Sequence, residues 1–283
     1  MSAGTDAAAF CAELVRSHDF GRYATTLFVP NDRRRALLAL YAFNAEICRI
    51  RDQVSQPLPG EIRLQWWTDT LAGIGHGDVE NNPVAAELLL AVRTHDLPLD
   101  RLTKLIDAHV FDLYHDPMPD LGVLESHFGD TFSTLLALSA KILGATSEAT
   151  EQAADHGGLA QGVVRIIATL PQDSARRQMY LPRDMLIQND GSSEEVFAGR
   201  LTPAIRATLD QLISGARAQL ALAEALLPQL PAETRRAFLP LALVKRDLER
   251  LTGAEHDPFA RQVPSRLQTL WGLWRASSSK AFS

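Results

Sequence analysis

Two stripes of polar side chains stand at helical spacing in this sequence. Asn44, Cys48, Asp52 and Ser55 recur every three or four residues, and Arg165, Thr169 and Asp173 every four. In a helix each set lies on one face. Each face carries one carboxylate, Asp52 or Asp173, with Arg49, Arg51 and Arg165 close by. The chemistry open to such residues is direct contact of the arginines with an anionic phosphate, salt bridging between the carboxylates and neighbouring arginines, or simple solvation of a polar face. Arg33, Arg34 and Arg35 fall in the first turn of a helix, where the macrodipole disfavours cations. That placement points to a phosphate or partner contact, or else to a solvated run. Cys48 sits beside arginines that would lower its pKa, but no base for nucleophilic chemistry is legible near it, and it is assigned no catalytic role. His109, His115, His127 and His156 show no metal-ligand spacing with acidic partners.

The elements that must hold these residues are helical. Apolar residues recur at three- and four-residue spacing through most of the 283 residues, and strict alternation is hard to find. An all-α chain forming one domain over 1–283 follows, with helices expected near 32–55, 60–75, 84–95, 98–114, 122–128, 130–143, 147–170, 202–228 and 231–252. Asn31 and Asp32 are the candidate caps of the first. The stretch 171–200, with the turn signal Asn189-Asp190-Gly191-Ser192-Ser193, is expected to be non-helical. Trp66 and Trp67 are adjacent, so they cannot share one groove: one belongs to the core, the other to a cavity mouth or partner surface.

Composition removes several classes of function. A content of 46% hydrophobic and 22% charged residues is that of a globular chain, and a net charge of -6 argues against nucleic-acid binding. Two cysteines are too few for a disulfide framework or a zinc site. No apolar run approaches the roughly 20 residues of a membrane span, and the apolar stretch at 7–11 is too short for a signal peptide. The expected location is cytoplasmic, with peripheral membrane association left open.

The run Pro30-Asn31-Asp32-Arg33-Arg34-Arg35-Ala36-Leu37-Leu38-Ala39-Leu40-Tyr41-Ala42-Phe43 resembles the opening of the squalene/phytoene synthase pattern, in which a basic run and ALYAF lead into a first aspartate-rich motif. Asn82-Pro83-Val84, Asp112-Leu113, and the segment from Gly158-Leu159-Ala160 to Tyr180-Leu181-Pro182 are similar to later steps of that pattern, so the resemblance covers about 20–265. It implies an isoprenoid-synthase fold, with two helices facing each other across a central apolar cavity. It also implies a pocket lined by Arg34, Tyr41, Asn44, Cys48, Arg49, Arg51, Arg165, Thr169 and Tyr180.

The departures from the pattern set the functional expectation. Where the family places the aspartates of its first motif this chain has Cys48, Arg49 and Asp52, and where its second motif reads N-x-x-x-D-x-x-E/D-D this chain has Arg165, Thr169, Gln172 and Asp173. The resemblance implies that Asp52 and Asp173 are vestiges of a metal site; read from the residues alone, they are helix-surface carboxylates paired with neighbouring arginines. Magnesium requires several hard oxygen ligands, so no metal and no cofactor is expected. Phe43-Asn44-Ala45-Glu46 through Asp52-Gln53-Val54-Ser55, with Arg63-Leu64-Gln65-Trp66-Trp67, resembles the divergent branch represented by mitochondrial complex I assembly factor 6. That branch implies a non-catalytic accessory role, with a complex I subunit or assembly intermediate as partner, or an isoprenoid or lipid held as ligand. Two other readings stay open. One is an active head-to-head prenyltransferase with an altered site, using Mg²⁺, Asp52, Asp173 and Glu46. The other is a metal-free binder of a prenyl diphosphate or anionic lipid.

Overall fold

A helix whose side chains are apolar on every side belongs at the centre of a protein. In the computed structural model, which describes residues 3–75, 79, 81–252, 257–260, 265–279 and 281–282, the segment following the arginine run occupies that place. The helices in chain order are α1 (Ala3–His18), α2 (Phe20–Thr26), α3 (Asn31–Gln53), α4 (Pro57–Leu71), α5 (Pro83–His95), α6 (Leu99–Ala108), α7 (Leu121–Phe128), α8 (Thr134–Ile142), α9 (Glu148–Ala175), α10 (Arg183–Gln188), α11 (Ser193–Phe197), α12 (Pro203–Leu226), α13 (Ala232–Arg235), α14 (Pro240–Leu251) and α15 (Arg266–Ser277). No strand occurs among the described residues. All ten residues from Ala36 to Ala45 of α3 are buried. They pack among α1, α4, α5 and α8, within a contiguous core that extends from Cys11 to Phe282.

The second central element is α9, which packs on α12 and α8. Glycines let its backbone approach its neighbours. A Cβ on Gly158 would overlap the backbone of Ser133, and one on Gly162 would overlap the Phe128 ring. Ser133 belongs to a π turn, Gly129–Ser133, between α7 and α8.

The arginine run is spent internally. Arg33 donates to the Ile142 carbonyl at 3.2 Å and lies 3.2 Å from His95 Nδ1. Arg34 donates to the carbonyls of Thr26, Leu27 and Val29, satisfying the C-terminal end of α2. Arg35 makes a two-pronged pair, at 2.6 and 2.7 Å, with the buried Glu87 of α5. These contacts clamp α3 to α2, α5 and α8.

Several boundaries differ from the sequence reading for identifiable reasons. Pro30 precedes α3, and neither Asn31 nor Asp32 supplies the expected cap: α3 begins without a side-chain cap bond, its first amides meeting the Pro30 carbonyl instead. Pro57 falls in the first turn of α4, where its missing N–H costs nothing. The expected helix 98–114 stops at Ala108 and continues as a 3₁₀ turn, Phe111–Leu113. The stretch 171–200 is not devoid of helix. α9 runs through Pro171 to Ala175, and α10 and α11 follow, the latter with a Ser192/Glu195 capping box.

Candidate functional site

The two polar stripes meet. The C-terminal end of α3 and the last turn of α9 are joined by Arg51, whose Nη2 donates to Asp173 Oδ1 at 2.9 Å. The two side chains are only 15% and 8% exposed. Beside them Asp52 pairs with Arg176, just past the end of α9, in a more exposed contact. Each of Asp52 and Asp173 is therefore engaged by an arginine from the opposite element.

A second group extends this contact inward. Arg51 Nη1 donates to the Tyr180 hydroxyl at 3.1 Å, and that hydroxyl donates to Asp112 Oδ1. The other oxygen of Asp112 holds His109 Nδ1 at 2.6 Å, and His109 Nε2 lies 3.5 Å from Cys48 Sγ. The chain Asp173–Arg51–Tyr180–Asp112–His109–Cys48 thus links α9, α3, the segment after α9 and the 3₁₀ turn. Tyr180 is packed against Phe111 and His127. The end of α6 at Ala108 is what turns both His109 and Asp112 toward Cys48.

The electrostatics are those of one coupled buried network. Burial works against the charge on Asp112, but His109 outweighs it and holds the carboxyl below its usual range. Burial likewise opposes a charged His109, yet Cys48 and Asp112 carry its pKa well above the ordinary imidazole value. Burial would raise the Cys48 thiol; His109 overrides it and lowers the thiol. For Asp173 burial prevails, leaving its carboxyl raised despite Thr169 and Arg51. His109, oriented by Asp112, stands as a base beside the Cys48 thiol and lowers its pKa. Sequence reasoning missed this base because His109 lies 61 residues from Cys48. The one local signal was a His and an Asp three residues apart.

The remaining sequence-nominated residues are distributed as follows. Asn44 is buried one turn before Cys48 on α3. Arg165 is exposed but within electrostatic reach of Cys48 and Asp173. Thr169 donates back to the Arg165 carbonyl at 3.0 Å. Arg49 acts on His18 and Glu46. Tyr41 is in the core, 3% exposed, its hydroxyl accepting from Ser139 at 3.1 Å. Arg34 is the α2 clamp described above. Trp67 enters the core edge-on to Phe43, at 5.0 Å. Trp66 lines a surface cleft along α4 with Leu58, Glu61, Ile62, Gln65 and Asp69. That cleft and a second beside it, between α4 and α6, include none of Cys48, Asp52 or Asp173 in their walls. Among the described residues no group of three or more His, Cys, Asp and Glu side chains is disposed to hold a metal ion.

The chain belongs to the squalene/phytoene synthase family, whose sequence profile matches residues 15–275. Among its relatives, the NADH dehydrogenase (ubiquinone) complex I assembly factor 6 of Rattus norvegicus is 31% identical over 254 residues, covering 90% of this chain and 76% of that one. Phytoene synthase 2 of Solanum lycopersicum is 26% identical over 275 residues, covering 92% and 87%. A ligand-bound dehydrosqualene synthase superposes with a TM-score of 0.82 at 14% identity, covering 96% of this chain and 97% of that one. The last comparison establishes the shared fold, an all-α isoprenoid-synthase architecture.

Proposed function

We propose that this chain is a non-catalytic member of the squalene/phytoene synthase family that assists the assembly of respiratory complex I. The observation that carries this reading is the pairing of both vestigial carboxylates, Arg51 with Asp173 and Arg176 with Asp52. Magnesium prefers near-octahedral oxygen coordination and is repelled by cations. A gap in which each aspartate already faces a guanidinium does not fit a magnesium cluster. Without such a cluster the departure of an allylic diphosphate lacks the charge neutralisation that metal ions give its transition state. The likeness to complex I assembly factor 6, over 90% of this chain, supplies the positive side of the proposal.

Within this reading the network from Asp173 to Cys48 is a strut. It ties α9 and the segment after it to α3 and to the 3₁₀ turn, in place of the metal-bridged gap that the family resemblance implies. The residues offered to a partner are then on the outside. The cleft along α4 is one such surface, with Leu58 and Ile62 more than half exposed.

The test is genetic and biochemical. Cells lacking the gene are expected to contain less assembled complex I on native gels and to lose NADH:quinone activity. A copy carrying Asp52→Asn and Asp173→Asn, if it accumulates normally, is expected to restore both. Loss of rescue by a stably folded double variant would favour an active-site role for these carboxylates and remove the proposal.

A further inference from the structure

Leu267, Trp271 and Trp274 of α15 are 79%, 60% and 55% exposed. Spaced i, i+4 and i+7, they lie within an arc of about 60° on the helix surface. The two indoles stack, with centroids 5.2 Å apart and planes at 30°. The opposite side of the same helix is fixed to the body of the protein. Thr269 and Leu273 are buried, α15 packs on α14 and α2, and the Arg266 guanidinium lies 4.9 Å over the Phe20 ring. The apolar stripe is therefore held outward by a docked helix. An outward aromatic surface of this kind marks an interaction site.

Charge selects what that site meets. α15 carries Arg266 and Arg275 and no acid, and residues 265–283 add Lys280 and still no Asp or Glu, in a chain whose net charge is -6. The exposed apolar row on α4, by contrast, is flanked by Glu61 and Asp69. The acid that feels Arg266 is Glu13, which is itself engaged by Arg16 and Ser17. Tryptophan and leucine on one stripe with arginine beside it is the composition that settles at the headgroup level of a bilayer, rings below and guanidiniums among phosphates.

We propose that α15 docks this protein on the surface of an anionic lipid bilayer, with Leu267, Trp271 and Trp274 entering the headgroup region and the exposed Arg275, next to Trp271 on the helix surface, facing lipid phosphates. Among the described residues no helix is long and apolar enough to cross a membrane, so the contact is peripheral. The inference is independent of the assembly reading, because it stands on α15 alone.

The experiment is vesicle flotation of the full chain at 0.1 M salt, with tryptophan emission recorded in parallel. One vesicle set contains one-third phosphatidylglycerol in phosphatidylcholine, and the other phosphatidylcholine alone. The expected result is flotation with the anionic vesicles and a blue shift of the emission. Affinity for phosphatidylcholine should be weaker by roughly fivefold, the effect of one arginine near the surface. Trp271→Ser with Trp274→Ser should abolish flotation and the shift while leaving the melting temperature unchanged, because both side chains are exposed. Arg275→Gln should remove the preference for anionic lipid. Three outcomes would each overturn the proposal: no flotation with either vesicle, flotation undiminished in the Trp double variant, or Trp-dependent self-association without lipid. The last would mean that a second copy covers the stripe.

Discussion

Replacing Arg51 with methionine tests whether the gap between α3 and α9 is closed by an ion pair. The substitution keeps an apolar stem of similar length but leaves the Asp173 carboxylate, 8% exposed, without its guanidinium. Breaking one side of a buried pair costs roughly 3–5 kcal/mol, because the remaining charge stays desolvated. Both partners are largely buried, so the lower half of that range, about 3 kcal/mol, is expected at pH 7. For a chain of this size that corresponds to a melting temperature lower by about 5 °C. The Asp173 pKa is already raised, first by burial, and losing Arg51 raises it further. An acid with a raised folded pKa is destabilising where it must ionise, so the cost should shrink as pH falls toward about 4 and the carboxyl protonates. Arg51→Met with Asp173→Leu should recover to within about 1 kcal/mol of wild type, since replacing both partners by apolar groups is often neutral. The assay is urea unfolding of the four proteins of the cycle at pH 7 and pH 5. A single-variant cost below about 0.5 kcal/mol, the level of an exposed pair, would refute the closed gap.

Two further outcomes follow from the same site. Iodoacetamide at pH 7 should label Cys48, whose thiol is lowered by His109 against burial, faster than Cys11, which burial pushes up to about 12; peptide mass spectrometry should show His109→Gln slowing the Cys48 reaction several-fold, and equal labelling of both cysteines would contradict the lowering of the Cys48 thiol by His109. Glu46, half-buried, has a pKa raised by burial with Arg49 opposing. It favours the protonated folded form, a contribution present below the unfolded value near 4.3 and lost as pH rises through the folded value. Glu46→Gln should therefore stabilise the protein at pH 7 and have little effect at pH 4 in thermal melts; a destabilised variant at pH 7 would show that the carboxylate has a partner.

How far the sequence discloses this protein depends on whether a residue's partner is local. The periodicity of 32–55 matches α3 within two residues, because its apolar positions and the prolines around it are neighbours in sequence. Helices α1, α2 and α15 do not appear among the sequence expectations. α15 shows why: its outward Leu267, Trp271 and Trp274 break the pattern of one buried stripe. Pro171 reads as a terminator, yet Leu170, Asp173 and Ser174 beyond and before it are buried, and tertiary contacts including the Arg51 pair carry α9 four residues further. The candidate site divides in the same way. Helical spacing places Asp52 and Asp173 on their faces but contains nothing that matches each to Arg176 or Arg51. The basic run Arg33–Arg35, read as an anion contact or a solvated face, is consumed by Ile142, by carbonyls at the end of α2 and by Glu87, acceptors that no local spacing discloses. His109 becomes a base for Cys48 only because α6 ends at Ala108, a boundary that an amphipathic pattern continuing to 114 conceals.

The proposed non-catalytic role requires that Asp52 on α3 and Asp173 on α9 do not gather divalent cations around a diphosphate. Its most direct measurement is incubation of the purified full chain with farnesyl diphosphate and Mg²⁺, followed by mass-spectrometric analysis of the extract and a pyrophosphate-release assay. No condensation product and no pyrophosphate above a heat-denatured control are expected. Metal-dependent formation of a head-to-head product, abolished by Asp52→Asn with Asp173→Asn, would contradict it.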